Sequence, residues 1–250
     1  MTIHPAAAEG FSRASDAYER GRPGYPEAAL DVLAREAGLG PAARVVDLGA
    51  GTGKLSRQLA ARGARVVALE PLQAMARTCR ATTGLPVVQA RAEALPLAAG
   101  SVDLLVAAQA FHWFDAPRAL AEAARVLAPG GALALVWNTR DEQVPWVARF
   151  GEIVHWHRRE VPRYAVDGEL EATIAASGRF QPIVRHTVPH AQPLDRALLV
   201  DRAASISYVA ALDPPAREQV LAAVRELAAT LPERFEMPYR TDVYLARPAS

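Results

Sequence analysis

The sequence predicts an α/β fold built on a parallel sheet, and three observations carry that expectation. Between residues 44 and 137 short apolar runs alternate with longer periodic segments, the pattern of βαβ units. Three glycines, Gly49, Gly51 and Gly53, stand where the first run meets the first periodic segment. The chain has 250 residues, 51% of them hydrophobic, which is enough to bury a sizeable single core.

The elements follow in order. Phe11–Arg20 and Pro26–Ala37 read as helices, the second opening on a proline and stopping at Gly38. Strands are expected at Arg44–Leu48, Arg65–Glu70, Pro86–Ala90, Val102–Ala108 and Ala132–Trp137, with helices at Lys54–Arg62, Leu72–Arg80 and Pro117–Leu127 between them. Pro129-Gly130-Gly131 forces a turn before the fifth strand. Behind this block Pro145–Glu160 reads as a helix, Phe180–His190 as a strand, Leu194–Leu212 and Pro215–Leu231 as helices, and Arg240–Arg247 as a final strand. The connection between those last two strands is too long for a hairpin loop, so its helices are expected to fold back as a cap. We read one domain: lid helices over 1–40, a cofactor core over 41–137, and substrate-side helices with the last strands over 138–250.

Composition removes several function classes. Twenty-eight basic against twenty-seven acidic residues leave a net charge of +1, so nothing marks the chain for nucleic acid or an anionic membrane. The single Cys79 excludes an internal disulfide. With no signal-like start and no apolar stretch of about 18 residues, a cytoplasmic protein is expected.

The stretch Arg44–Gly53 narrows the ligand. A phosphate loop ending at Gly53-Lys54 would need glycine at 48 and a hydroxyl residue at 55, where the chain has leucines. The dinucleotide spacing G-x-G-x-x-G fails at Lys54, leaving G-x-G-x-G. Glu70 closes the second strand 19 residues after Gly51, where an acid can accept hydrogen bonds from both ribose hydroxyls.

These residues meet a family pattern. Val46–Gly53, Glu70, Ala92-Glu93-Ala94-Leu95-Pro96, Ser101-Val102-Asp103 and Arg125–Gly131 together resemble the class I S-adenosylmethionine-dependent methyltransferases. The resemblance implies a Rossmann-like three-layer sandwich, a seven-stranded mixed sheet with an antiparallel last strand and a helical cap. It implies that Asp47, Gly49, Ala50, Gly51 and Gly53 hold the methionine end of S-adenosylmethionine and that Glu70 holds the ribose. Leu72, Ala92 and Glu93 would border the adenine, with Arg91 standing where many relatives carry Asp. Phe11, Tyr18–Pro26 and Gln109–Phe114 look like the small-molecule branch that includes trans-aconitate methyltransferase-like proteins. In that branch the N-terminal segment closes over the cofactor, which would bring Tyr18 and Arg22 to the methionine end, with Gln109 also in the cofactor set.

Ligands of open α/β sheets bind at the carboxyl ends of strands, so Phe111, His112, Trp113, Asn138 and Arg140, with Tyr25, are the acceptor candidates. All four tryptophans fall between Trp113 and Trp156; Phe111–Phe114 and Trp137–Arg140 are expected to flank the transferable methyl as an apolar, aromatic wall, while Trp137, in its strand, and Trp156 are expected to serve as core. His112 is the candidate general base for a hydroxyl acceptor; its alternative is a packing residue. A carboxylate acceptor needs no base, and Arg140 would orient it. No metal site is supported, because His155 and His157 do not share a helix face and His186 and His190 stand about 13 Å apart along a strand. Asp213-Pro214-Pro215 reads as a helix start. The reading is methyl transfer to a small molecule, on a hydroxyl or carboxylate oxygen. Its rivals are a non-catalytic S-adenosylmethionine-binding protein and a nicotinamide-dependent reductase, whose Tyr-x-x-x-Lys pair is impossible with Lys54 as the sole lysine.

Overall fold

The computed structural model describes residues 19–154 and 168–249, so most of the Phe11–Arg20 helix and the end of Pro145–Glu160 lie outside the described residues. The chain forms two compact units. Among the described residues, one holds 25–139, 168–188 and 241–249, the other 19–24, 140–154 and 189–240. In chain order the elements are α1 (Glu27–Ala37), β1 (Arg44–Leu48), α2 (Lys54–Ala61), β2 (Arg65–Leu69), α3 (Gln73–Thr83), β3 (Val87–Val88), β4 (Val102–Ala108), a 3-10 turn (Phe111–Trp113), α4 (Ala116–Val126) and β5 (Leu127–Arg140). There follow α5 (Pro145–Ile153), α6 (Glu169–Ala176), β6 (Val184–Asp195), α7 (Arg196–Ala204), α8 (Ser207–Ala210), α9 (Pro214–Ala229) and β7 (Arg234–Ala246).

The seven strands lie in the order β3-β2-β1-β4-β5-β7-β6. The first five pair in parallel, as the βαβ pattern requires. β7 is reversed. Thr241 bonds Asn138 and Arg247 bonds Gly130, while on the other side Asp242 is met by Arg185 and Thr187 and Gln181 N–H donates to Arg247 O. On both sides partner numbers fall as those of β7 rise. The seven-stranded mixed sheet implied by the resemblance is therefore present.

Alternation along the strands builds the layers of the sheet-bearing unit. Val46 and Leu48, Leu105 and Ala107, and Leu133, Leu135 and Trp137 face α4 and α6 in one apolar cluster. The intervening Val45, Leu104, Val106, Ala134 and Val136 pack with α1 and α2 in another. The other unit has its own cluster, in which Val147 and Phe150 of α5 meet Leu199, Val209, Val224 and Met237.

Several boundaries differ from expectation, among them the sixth strand, which runs over Val184–Asp195 instead of Phe180–His190, and three others have a plain cause. The fifth strand begins at Leu127 instead of Ala132: its register jumps from Val102↔Leu127 to Leu104↔Ala132, so Pro129-Gly130-Gly131 is absorbed as a bulge. A side chain on Gly131 would meet Ala128 O at 2.9 Å and Asp103 O at 3.0 Å, which is why the bulge takes glycine there. The helix expected over Leu194–Leu212 is shortened by β6 and broken at Ser205-Ile206. Asp195 caps α7 by accepting from Leu198 N–H at 2.7 Å, and Ser205 Oγ turns back to Arg202 O at 2.7 Å. The last strand starts six residues early, at Arg234, because Pro238 is accommodated within it and its carbonyl accepts from Asp141 N–H. Asp213 caps α9 through Ala216 N–H at 2.8 Å, as its Pro-Pro sequence suggests. No helix among the described residues is long and apolar enough to cross a membrane.

Candidate functional site

The turn after β1 is built by its glycines. Gly49, Gly51 and Gly53 all have positive φ, at 70°, 59° and 86°. Their purposes separate. A Cβ on Gly49 would stand 2.7 Å from Ala110 Cβ and 3.4 Å from Phe114, so this glycine lets the loop after β4 lie directly on the turn. A Cβ on Gly53 would collide with Thr83 and come within 2.8 Å of Cys79 Sγ, so the last glycine lets α2 start against α3. Gly49 and Ala50 N–H both donate to Leu69 O, fastening the turn to the end of β2.

Two buried carboxylates flank it. Asp47, 1% exposed, accepts from Ser56 Oγ at 2.5 Å, and burial pushes its pKa up to about 6. Glu70, 5% exposed, is gripped by backbone: Gly51 N–H donates to Oε2 and Leu72 N–H to Oε1, each at 2.9 Å. Burial raises Glu70 to about 7, against the pull of those two N–H groups and with a further upward push from Asp47. Each carboxylate oxygen that takes one N–H keeps a lone pair for a second donor. The pair therefore fits a ligand presenting two neighbouring hydroxyls at Glu70 and a cationic group toward Asp47.

The other candidates fall into place around this turn or apart from it. Ala92 is buried, and Glu93 is engaged structurally, accepting from Asp115 N–H at 2.9 Å and from Arg91 Nε at 3.1 Å. Gln109 is one of two described non-glycine residues with positive φ, at 55°; its N–H donates to Val136 O and its Nε2 to Asn138 O at 2.8 Å. That clasp ties the ends of β4 and β5 together. Asn138 Oδ1 in turn accepts from Thr241 at 2.7 Å. Phe111 is buried against Phe114, whereas His112 and Trp113 are half-buried with ring centroids 4.7 Å apart. Tyr25 packs beside the α1 cluster, and its backbone is held at both ends by Gln58.

Arg22 and Arg140 belong to the other unit. Arg22 donates from Nε to Ser205 Oγ at 3.1 Å, and Arg140 is buried with its Cζ 5.2 Å from the centroid of Phe150. Tyr18 and Phe11 lie outside the described residues. Trp137 is core against Tyr244, as expected of it, and Trp146 packs on Phe235; Trp156 is outside the described residues. Among the described residues no three His, Cys, Asp or Glu side chains gather as a metal site would require. Sequence reasoning missed Ser56 and Arg202. The second had a signal, an arginine three residues after Leu199 on the buried stripe of α7.

The comparisons agree with this geometry. Residues 46–135 match the family model of the methyltransferase domain. An uncharacterized methyltransferase of Mycobacterium tuberculosis is 43% identical over 224 residues, covering 89% of this chain and 86% of the relative. A malonyl-[acyl-carrier protein] O-methyltransferase of Methylococcus capsulatus is 46% identical over 101 residues, 38% of this chain and 37% of that one. Phosphoethanolamine N-methyltransferase 2 of Haemonchus contortus, solved with S-adenosylhomocysteine, shares the fold at a TM-score of 0.61 and 14% identity, covering 100% of this chain and 61% of that one. With the glycine turn, the paired acids and the 3-2-1-4-5-7-6 sheet already in place, the chain belongs to the class I S-adenosylmethionine-dependent methyltransferases.

Proposed function

We propose that this enzyme methylates an oxygen, of a hydroxyl or a carboxylate, on a small organic acceptor. The observation that carries the reading is the contact of Gly49 with Ala110 and Phe114: the loop bearing half-exposed His112 and Trp113 lies on the glycine turn, at the carboxyl ends of β1 and β4. Oxygen as the target is supported by the partial match to the malonyl-[acyl-carrier protein] O-methyltransferase, and a small acceptor by the likeness of Gln109–Phe114 to trans-aconitate methyltransferase-like proteins.

S-adenosylmethionine supplies a methyl group on a sulfonium, open to in-line displacement. In this reading Asp47 and the backbone of Gly49–Gly53 hold its amino-acid end, Glu70 its ribose, and Leu72, Ala92 and the backbone at Glu93 its adenine. The remaining work of the chain is to hold the nucleophile in line and, for a hydroxyl, to take its proton at an imidazole nitrogen of His112.

The test combines product chemistry with one variant. Enzyme, isotopically labelled S-adenosylmethionine and pooled small acids and alcohols should yield a labelled product, whose cleavage by mild base separates an ester from an ether. For a hydroxyl acceptor, His112→Gln should lower turnover about 10²–10⁴-fold at unchanged cofactor affinity, and wild-type turnover should fall as pH drops through the imidazole pKa. Wild-type turnover by His112→Gln from acid to neutral pH would remove the base and leave the carboxylate acceptor. Label on nitrogen alone, or on no small molecule, would overturn the reading.

A further inference from the structure

Asp47 takes its hydrogen bonds from a single residue. Its Oδ2 accepts from Ser56 Oγ at 2.5 Å, and the Ser56 backbone N–H also reaches the carboxylate. Ser56 is 0% and Asp47 1% exposed, so bulk solvent does not compete for the bond. The serine stands in the first turn of α2, where the capping position is Gly53, which has no side chain and caps nothing. The carboxylate, delivered from β1, thus takes over the capping of α2.

Capping alone does not account for the hydroxyl. The backbone N–H already satisfies that orphan donor of the helix, and the Oγ adds a second bond to an anion that burial disfavours. Among the described residues no cationic side chain pairs with Asp47, and Glu70 is near enough for the two acids to feel each other's charge. A carboxylate so placed is held ionised by the hydrogen bonds it accepts until a cation arrives. The Ser56 bond is short, charge-assisted and directional, so it also fixes the rotation of the carboxylate. With Ser56 taking two of its acceptor positions, the lone pairs that are left point in a set direction. All of these residues lie in the sheet-bearing unit.

We propose that Ser56 is a positioning residue for the cofactor's amino-acid end: its hydroxyl sets the direction in which Asp47 presents its remaining lone pairs to the α-ammonium of S-adenosylmethionine. Ser56 acts through Asp47 and touches no reacting atom. The proposal rests on the reading that puts Asp47 at that end of the cofactor.

Calorimetry on the full chain with two ligands tests it. S-adenosylhomocysteine carries the amino-acid end; 5′-methylthioadenosine has the same adenosine and a thioether but no ammonium. Ser56→Ala should weaken S-adenosylhomocysteine about 10-fold and leave methylthioadenosine within about 2-fold, because the contacts of Glu70 and the adenine are untouched. A merely structural serine would weaken both ligands alike, since both lie on the glycine turn that leads into α2. If Ser56→Ala binds neither ligand, Ser56→Cys, of similar shape and weaker as a donor, is read in its place, with a selective loss of about 3-fold expected. Equal loss of both ligands, or loss of neither, in the variant that is read overturns the proposal. Asp47→Asn separates it from the reading beneath. If Asp47→Asn loses the preference for S-adenosylhomocysteine while the Ser56 variant keeps it, Ser56 positions nothing; if Asp47→Asn itself keeps the preference, Asp47 does not meet the ammonium and that reading falls.

Discussion

Glu70 carries a burden that its sequence position alone does not reveal. Its two oxygens are fixed by Gly51 and Leu72 N–H, yet burial holds it at about 7 and Asp47 at about 6, both above the ordinary carboxylate range. In the folded chain these acids keep protons that the unfolded chain has released, so the ligand-free protein loses stability as pH rises from about 4 to 7 and levels off above. A ligand that uses the ionised pair binds better along the same rise. We expect S-adenosylhomocysteine affinity to increase between pH 5.5 and 7.5, with proton release on binding below pH 7, measured by calorimetry in buffers of different ionisation enthalpy. Glu70→Gln should flatten that profile and weaken binding about 10- to 100-fold, the worth of one or two hydrogen bonds to a charged group. An unchanged profile in the variant would assign the titration elsewhere.

At the scale of elements, the glycine turn separates two costs that usually arrive together. Gly53 and Gly38 are both left-handed, at 86° and 71°, but a methyl on Gly38 meets nothing within 4 Å while one on Gly53 strikes Thr83 and Cys79. Gly38→Ala should therefore cost about 1–2 kcal/mol, the conformational term alone. Gly53→Ala should cost about 2–5 kcal/mol, because overpacking between α2 and α3 adds to it. Urea unfolding of both variants measures the difference, and equal losses would mean that the α2–α3 contact yields freely. The sheet half of the chain was legible at this scale: β1 and β4 run over the residues their apolar runs mark, since strands buried on both faces read as Val- and Leu-rich runs, here with one aspartate in each. The Pro-Gly-Gly bulge and the break at Ser205 were not, because a bulge depends on the partner strand and Ser205 on where its hydroxyl turns. The candidate residues Asp47, Glu70 and the glycines were readable from local spacing, whereas the buried bonds of Arg202, Tyr239 and Gln192 form only through folding, that of Tyr239 with Gln192 across 47 residues of sequence.

For the whole molecule, the order of the strands in space differs from their order in the chain at one telling point. β7, the last of the seven in sequence, sits inside the sheet between β5 and β6. Its Val243, Tyr244, Leu245 and Ala246 enter the apolar clusters on both faces. Deleting residues 241–250 should consequently abolish cooperative unfolding and S-adenosylhomocysteine binding together, as read by circular dichroism and calorimetry; a truncated chain that still binds would show that the five parallel strands suffice. The same placement bears on how the protein is made. During synthesis β1 to β5 emerge first, and the flank of β5 that β7 will occupy stays open, a row of unpaired N–H and C=O groups on a half-covered apolar surface. The ribosome therefore holds an adhesive edge in the cell until the seventh strand is threaded in, and the nascent chain, more than the finished enzyme, is what chaperones have to shield from its neighbours.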